Sequence, residues 1–368
     1  MTLTSILRSI TPPDSQAMQK AQDILDGKIK PPKSLGTLES IAVRLAGITG
    51  KPRNTITRKV ICLFGSDHGV YSEGVCSSPQ DFTEKLMHVY ADSQNGGINI
   101  LARQAGAELR LYDLGVKGLA PHPNIITQKF MPSGTNNLLR ERAMSPEIAE
   151  RVILWGVDLV REMKAQGFDL IGTGEAGMAN TTPACACIMA AADSRDASLV
   201  GRGAGLTDEA LARKQKVILE ALAFHSENLT DPVNVLSCVG GLDIAAMTGV
   251  FIGGAVYRVP IIIDGVISIA GALLAYQLEP LVREYMFASH ESPEPAYTHA
   301  AKFMNLSPCL KMGMRLGEGT GCAVFMHIID DALAIINGMG DFAQLTKGAP
   351  TKNSLRNGAS SCGAGILE

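Results

Sequence analysis

The order of apolar and polar positions along the chain predicts buried strands that alternate with helices. Uninterrupted apolar runs at residues 60–65, 168–172 and 259–263 are typical of strands covered on both faces of a parallel sheet. Weaker strand patterns occupy residues 108–114, 125–130 and 286–290. All of these segments are candidate strands of one sheet.

Segments with helical spacing of apolar residues lie between the strands. One predicted helix begins with Ser145 as its N-cap and Pro146 at its first position. The others are residues 14–30, 37–46, 79–105 with a break at 95–97, a helix capped by Thr207, 243–256, and a helix capped by Thr320 that runs to residue 334. Alternating strands and helices predict an α/β fold with a mostly parallel sheet, helices on both faces, and a small helical bundle formed by the two chain ends.

The composition fits a water-soluble enzyme, with 46% apolar and 19% charged residues among 368. The net charge is −3. The sequence has no stripe of basic residues, so we do not expect it to bind nucleic acid. Residues 1–15 lack the pattern of a signal peptide, and the apolar run 243–263 is interrupted by Arg258 and Pro260. We therefore expect a cytoplasmic protein that neither spans nor binds a membrane.

The eight cysteines predict neither disulfides nor a zinc site. Several lie in apolar runs, where a reduced cysteine acts as a small hydrophobic side chain. None forms a C-x-x-C pair, and Cys185 and Cys187 lack a second pair of ligands.

The most informative motif is Arg-Leu-Gly-Glu-Gly-Thr-Gly at residues 315–321, in which Glu318 stands between two glycines. Glycines on both sides allow unusual backbone angles and let a ligand approach closely. The helix predicted to follow places Glu318 at a helix start. A solvated glutamate in a surface turn is the ordinary explanation of one such motif, but the rest of the chain favours a functional one.

A second glycine-rich turn, residues 173–183, follows the predicted strand 168–172 and carries Glu175. Because ligands bind at the carboxyl ends of parallel strands, its successive N–H groups predict an anion site. A third glycine cluster at 200–205 precedes a helix with Lys214, a candidate point charge for a phosphate monoester. These motifs match no dinucleotide or triphosphate pattern.

Asp67 and His68 follow the predicted strand 60–65 at the same edge of the sheet. Two interpretations stay open for this pair. The side chains contact the ligand, or they form hydrogen-bonded loop architecture.

In this order, the motifs resemble those of the nicotinate-nucleotide:dimethylbenzimidazole phosphoribosyltransferases, which build the lower-ligand nucleotide of cobalamin-type cofactors. The resemblance covers about residues 11–340. It rests on Lys-Pro-Pro-Lys-Ser-Leu-Gly-Thr-Leu-Glu at 30–39, Asp-His-Gly-Val at 67–70, Gly-Thr-Gly-Glu-Ala-Gly-Met-Ala-Asn-Thr-Thr-Pro at 172–183, Val-Gly-Gly at 239–241, Met-Thr-Gly at 247–249, Asp-Gly at 264–265 and the motif at 315–321.

The resemblance implies a Rossmann-like large domain, residues 56–300, and a homodimer. It also implies a small helical domain, residues 1–55 with 301–347, that carries the 315–321 motif. Residues 348–368 are rich in serine, asparagine and glycine, and we predict that they form a mobile tail.

The resemblance also assigns roles to single residues. Glu318 is the implied general base, and Glu175 has a supporting catalytic place. The sugar phosphate is expected on the backbone near Gly177 and Gly203, with Lys214 as its charge partner. The other candidates for substrate binding are Met178, Asn180, Thr181, Ser78, Phe82, Leu86, Ala176, Leu316, Asp67 and Ser268.

The implied reaction needs few catalytic groups. The glycosidic nitrogen of nicotinate mononucleotide is already cationic, so nicotinate leaves without a general acid. The attacking base loses an N–H proton, which one partly desolvated carboxylate can accept. A second carboxylate at Glu175 strengthens that base and could stabilise positive charge on the ribose. No pyrophosphate leaves, so we expect neither magnesium nor a cofactor.

Two departures from the family pattern leave the acceptor open. Leu86 stands where many members have glutamine, and Ala176 replaces a larger residue. The pocket could therefore accept another benzimidazole, or phenol or p-cresol as in the related phenol-activating heterodimers. The intact Glu318 argues against a nucleotide-binding paralogue without activity.

Enzymes that use phosphoribosyl pyrophosphate are the nearest rival class. They place two adjacent acids before a phosphate loop. Asp330 and Asp331 are adjacent acids, but the residues that follow continue a predicted helix. We therefore expect this pair on a helix surface.

Overall fold

The computed structural model describes residues 2–343, and the predicted tail 348–368 lies outside them. Its six-stranded sheet has the order β3-β2-β1-β4-β5-β6, and every strand pairing is parallel. This is the order of doubly wound Rossmann folds, so the predicted α/β fold is confirmed. The strands are β1 (Lys59–Ser66), β2 (Ala107–Gly115), β3 (Ile125–Thr127), β4 (Leu170–Ala176), β5 (Ile261–Ile263) and β6 (Met286–Ala288).

The α-helices in the described residues surround this sheet. They are α1 (Leu3–Leu7), α2 (Ser15–Asp26), α3 (Thr37–Thr49), α4 (Phe82–His88), α5 (Gly97–Gln104), α6 (Pro146–Ala165), α7 (Thr181–Ala191), α8 (Asp208–Phe224), α9 (Pro232–Val239), α10 (Leu242–Tyr257), α11 (Val266–Leu278), α12 (Pro295–Phe303) and α13 (Thr320–Gly338). A short π-helix, Val89–Ser93, continues α4. Ser145 and Thr207 cap their helices as predicted, each accepting a backbone N–H.

Strand β4 shows how helices cover both faces of the sheet, because successive side chains of a strand point to opposite faces. On one face, Thr173 Oγ1 lies 2.7 Å from Ser268 Oγ of α11. On the other face, a Cβ at Gly172 would lie only 2.8 Å from Cys322 Cβ of α13. Glycine in β4 therefore lets α13 pack directly onto the strand.

Two helices on the sheet, α6 and α10, cross where each has a glycine. A Cβ on Gly249 would overlap the carbonyl oxygen of Ile153, and a Cβ on Gly156 would overlap that of Ala246. The backbones therefore touch without intervening side chains. This contact explains the small residues in the sequence of α10.

The two ends of the described chain meet on one side of the fold. Lys28 Nζ donates to the carbonyl of Met339 at 2.7 Å and pairs with Asp341 at 2.9 Å. Lys30 and Glu39 form a buried ion pair of 2.9 Å across the proline-containing turn between α2 and α3. The division into domains at residues 56 and 300 stays a prediction.

Two local predictions are wrong. Glu175 lies within strand β4 and not in the turn after it, because β4 continues through Ala176 alongside β1. The N-cap of α13 is Gly319, whereas Thr320 is the first helical residue and donates its hydroxyl to the carbonyl of Gly317 at 2.7 Å.

Helix α13 is long and apolar enough to cross a membrane by length and composition alone. Half of its apolar stretch is buried inside the protein, as in a core helix. Asp330, on its partly exposed side, pairs with Lys59. Asp331 is exposed, so the adjacent acids lie on a helix surface as predicted.

We expect Gly249→Ala to lower the free energy of unfolding by roughly 1–3 kcal/mol, because its methyl group forces α6 and α10 apart. Chemical denaturation followed by circular dichroism measures this change. The matched control is Gly338→Ala, where no atom lies within 4 Å of the added methyl group. Equal stability of the two variants would contradict the close crossing.

Candidate active site

A cleft of about 390 Å³ opens beyond the carboxyl ends of β4, β5 and β6. Parallel α/β sheets bind ligands at this edge. The predicted site residues that line it are Ser78, Phe82, Leu86, Glu175, Ala176, Gly177, Met178, Asn180, Thr181, Gly203, Leu316 and Glu318. Lys214, Asp67 and Ser268 lie behind its walls.

Glu318 is held in a strained turn at the base of this cleft. Gly317, Glu318 and Gly319 all have left-handed backbone angles, with φ of 80°, 63° and 86°. The left-handed conformation costs a non-glycine residue about 1–2 kcal/mol. The carbonyl of Glu318 also lies against Gly174 of β4, where a Cβ would come within 2.6 Å of it. Packing therefore keeps Glu318 in an unfavourable conformation, as is common at functional sites.

Asp264, at the end of β5, fastens this turn to the sheet. Its Oδ2 accepts the N–H of Gly319 at 3.0 Å, and its Oδ1 accepts the N–H of Gly321 at 2.7 Å. The carboxylate thus satisfies free donors at the N-terminus of α13, where negative charge is favoured. Burial raises the pKa of Asp264, while the nearby His290 and these N–H groups oppose the rise.

The two predicted catalytic glutamates contact each other through the backbone of Glu318. The Glu318 N–H donates to Glu175 Oε1 at 3.4 Å, and the Asn180 amide donates to Glu175 Oε2. Burial, followed by the charges of Asp243 and Asp264, raises the pKa of Glu175 to about 8. Glu175 is therefore mostly protonated at neutral pH.

Glu318 is less buried than Glu175 and better placed to exchange a proton with a ligand. Burial raises the pKa of Glu318, and the nearby hydroxyl of Tyr90 and the N–H of Ile98 partly oppose the rise. Its Oε2 is buried, and its carboxylate interacts with the hydroxyl of Tyr90. A partly desolvated carboxylate that lines a cleft is a plausible proton acceptor.

Asp67 supports the glycine-rich turn from behind. The N–H of Met178 donates to Thr83 Oγ1 at 3.0 Å, and the Thr83 hydroxyl donates to Asp67 Oδ1 at 2.8 Å. Asp67 also accepts the N–H of Lys117 at 2.9 Å. Of the two interpretations of Asp67, the geometry favours loop architecture.

His68 is completely buried beneath the same turn. Its Nε2 lies 3.5 Å from Asp243 Oδ2, and a Cβ on Gly177 would come within 3.1 Å of that nitrogen. His68 therefore touches the underside of the turn and does not line the cleft. Ser268 is also internal, because its Oγ accepts the N–H of Asp264 at 3.1 Å.

Lys214 lies one layer behind the cleft wall. Its side chain is fully buried, and Nζ donates to Thr181 Oγ1 at 2.9 Å and to the carbonyl of Gly201 at 3.0 Å. Burial lowers the pKa of Lys214, and the nearby charge of Glu294 opposes this. The lysine reaches the cleft through Thr181 and the loop at Gly201.

The opposite end of the cleft is apolar and partly open. Phe82 and Leu316 are 42% and 59% exposed, and Leu86 lies on α4 one turn after Phe82. Tyr90 continues the same row in the π-helix, and its buried hydroxyl lies beside the carboxylate of Glu318. A planar, mostly apolar ring fits such walls.

Comparison with known proteins identifies the family. The DBI_PRT family model, described as phosphoribosyltransferase, matches residues 10–345. The chain belongs to this phosphoribosyltransferase family.

Several named relatives match along most of their length. The nicotinate-nucleotide–dimethylbenzimidazole phosphoribosyltransferase of Clostridium perfringens is 39% identical over 342 residues, covering 93% of this chain and 94% of the relative. The enzyme of the same name from Citrifermentans bemidjiense is 41% identical over 343 residues, covering 93% and 97%. The crystal structure of CobT from Thermus thermophilus matches with a TM-score of 0.85 and 34% identity, over 90% of this chain and 98% of that one.

Sequence reasoning missed three residues that shape the cleft of this phosphoribosyltransferase. Tyr90 follows Phe82 and Leu86 at helical spacing, and this signal could have revealed it. Glu294 and His290 line the wall after β6. No local pattern marks them, because only the fold brings them beside Gly203 and Gly321.

One cluster of possible metal ligands lies outside the cleft within residues 2–343. His88, Asp92 and His122 place their ligand atoms within 4.8 Å of one another. His122 Nδ1, however, accepts the N–H of Asn124 at 3.2 Å, and Nε2 lies 2.7 Å from Asp92. In this arrangement Nε2 carries the proton and offers no lone pair to a metal.

We expect Asp264→Asn to impair the phosphoribosyltransferase, because an amide group replaces one of the two oxygens that hold the Glu318 turn. The expected effects are a roughly 10- to 100-fold lower kcat and a lower melting temperature. Steady-state kinetics and thermal unfolding measure them. Asp331→Asn makes the same chemical change at an exposed position of α13 and should leave both unchanged. Full activity of Asp264→Asn would show that the turn does not depend on this carboxylate.

Proposed function

We propose that this chain transfers the phosphoribosyl group of nicotinate mononucleotide to 5,6-dimethylbenzimidazole in the assembly of the cobalamin nucleotide loop. The products are α-ribazole 5′-phosphate and nicotinate. The observation that carries the proposal is the position of Glu318, between an apolar pocket end and a glycine-lined end beside a buried lysine. The names of the relatives support the same reaction.

In the proposed mechanism, the acceptor ring lies against Phe82, Leu86 and Leu316 with one N–H directed at Glu318. Its other nitrogen attacks the anomeric carbon of the ribose as nicotinate leaves from the opposite side. The carboxylate of Glu318 accepts the acceptor's proton as positive charge develops on the ring. The pyridinium leaving group departs as neutral nicotinate nitrogen, so the reaction needs no general acid.

Glu175 has a different part in this mechanism. A carboxyl with a pKa of about 8 carries little negative charge at neutral pH. It therefore contributes little to stabilising a cationic ribose. We assign it the role of orienting the Glu318 turn through the Glu318 N–H and of lining the cleft near the reacting atoms.

The phosphate of the nucleotide is proposed to bind the backbone N–H groups near Gly177 and Gly203. Backbone amides in glycine-rich turns approach anions closely because no side chain intervenes. Lys214 adds positive charge from behind Thr181. This arrangement uses charge and backbone donors without a metal.

The acceptor is the part of the proposal that the residues constrain least. Leu86 and Ala176 form apolar wall without a hydrogen-bonding side chain, which suits a benzimidazole and does not reject a phenol. Purified enzyme incubated with nicotinate mononucleotide and equal amounts of dimethylbenzimidazole, adenine, phenol and p-cresol tests the choice. Preferential formation of the dimethylbenzimidazole nucleotide supports the proposal. Preferential formation of a phenolic nucleotide, or none at all, contradicts it.

We also propose a homodimer in the cytoplasm, as the family resemblance implies. Light scattering of the purified protein measures the assembly. The related phenol-activating enzymes act as heterodimers, so a monomer that becomes active only with a second subunit would favour that alternative.

For Glu318→Gln, we expect kcat to fall by roughly 100-fold or more with little change in nucleotide affinity, because the amide cannot accept the proton. In the wild-type enzyme, kcat should fall as the pH drops through a pKa above that of an ordinary glutamate, since Glu318 must be ionised. Initial rates measured across pH test both expectations. Normal turnover by Glu318→Gln would reject the assignment of the base.

We expect Lys214→Met to raise the KM for nicotinate mononucleotide roughly tenfold with a smaller effect on kcat, because the cleft loses its buried positive charge. Lys216→Met changes an exposed lysine on the same helix and serves as the matched control. Equal KM values for the two variants would remove Lys214 from the phosphate site.

A further inference from the structure

Glu294 reaches away from its own helix into the glycine-lined side of the cleft. It is the N-cap residue of α12, but its carboxylate makes no capping bond there. Its Oε1 instead accepts the N–H of Gly203 at 2.8 Å. Its Oε2 packs so closely on Gly201 that a Cβ at that position would overlap it. An internal carboxylate therefore occupies the loop proposed to bind the phosphate.

A buried cation lies on the other side of this loop. Lys214 donates to Thr181 Oγ1 and to the carbonyl of Gly201, which are both neutral acceptors. A charge removed from water needs an opposite charge nearby. Glu294 supplies the strongest such attraction on Lys214. The cleft thus contains its own anion near the buried lysine.

The substrate phosphate requires the same amide and the same cation, if the proposed function is correct. We propose that Glu294 is an internal anion that occupies the phosphate site of the cleft and is displaced when the nucleotide binds. Two anions cannot both accept the Gly203 N–H at close range, because like charges repel strongly in a poorly solvated site. The carboxylate must therefore leave before the phosphate can reach Gly203.

Displacement makes Glu294 a determinant of affinity for phosphate-bearing ligands. Its cost lowers the affinity of every phosphate-bearing ligand by a similar factor. Free phosphate has only the contacts of the phosphate site to offset that cost, whereas the nucleotide also gains ribose and ring contacts. Glu294 therefore weakens the binding of both ligands to a similar extent, and their different affinities come from the ribose and ring contacts.

Glu294→Gln tests this inference because it removes the charge and keeps the size of the side chain. We expect the variant to bind nicotinate mononucleotide and inorganic phosphate about tenfold more tightly than the wild-type enzyme, measured by isothermal titration calorimetry. Glu291→Gln is the matched control. It makes the same charge change three residues earlier, where Glu291 pairs with Lys311 outside the cleft, and should leave both affinities unchanged.

Equal or weaker nucleotide binding by Glu294→Gln overturns the inference, since the carboxylate would then be neutral or favourable for binding. If that variant does not fold, Glu294→Asp retains the charge but withdraws it from Gly203, and it must also bind phosphate more tightly. If the wild-type enzyme binds the nucleotide and neither substitution strengthens that binding, this inference is wrong but the proposed function still stands. Failure of the wild-type enzyme to bind the nucleotide contradicts the proposed function as well.

Discussion

The active-site architecture depends on the close approach of the turn at residues 317–319 to strand β4. Gly174 provides the space on the strand, and Gly317 and Gly319 provide the backbone angles on the turn. Asp264 then holds the turn through two N–H groups of the helix start. The left-handed conformation of Glu318 is stable only within this set of contacts, which gives its side chain one direction, into the cleft.

Burial raises the pKa values of the neighbouring carboxyl groups of Glu175 and Glu318 to different extents. Glu175 has several acidic neighbours and little exposure, so it holds its proton at neutral pH. Glu318 is more exposed, and its carboxylate interacts with the hydroxyl of Tyr90. Two glutamates on adjoining backbone segments thus differ in how far their surroundings raise their pKa values, and the less buried one is better suited to accept a proton.

The sequence predicted the sheet well, because parallel strands buried on both faces appear as continuous apolar runs. It predicted Glu318 and the glycine-rich turn from motifs that are local in the chain. Helix α11 was not predicted, because its residues are apolar all round and show no helical period. The end of β4 was misplaced, since Gly172 and Gly174 resemble a turn until α13 is seen packed on them.

Sequence patterns could not predict which candidate residues line the cleft and which lie behind its wall. Lys214 and Asp67 stand among candidate motifs, yet each acts through an intermediate hydroxyl, that of Thr181 or Thr83. A pattern identifies which residues have suitable chemistry, but it does not tell which of them is one layer behind the surface. That distinction comes from contacts between segments far apart in the chain, such as α8 with the first residue of α7.

The distribution of charge raises the question of how a cleft rich in carboxyl groups binds a phosphate. Glu175 is neutralised by its own proton, and Asp264 is satisfied by the N-terminus of α13. Glu318 lies toward the apolar end, where a proton is to be accepted. Glu294 is then the carboxylate that accepts a backbone N–H of the proposed phosphate loop, beside Lys214. A phosphate that replaces Glu294 there exchanges one anion for another and leaves the buried lysine compensated throughout.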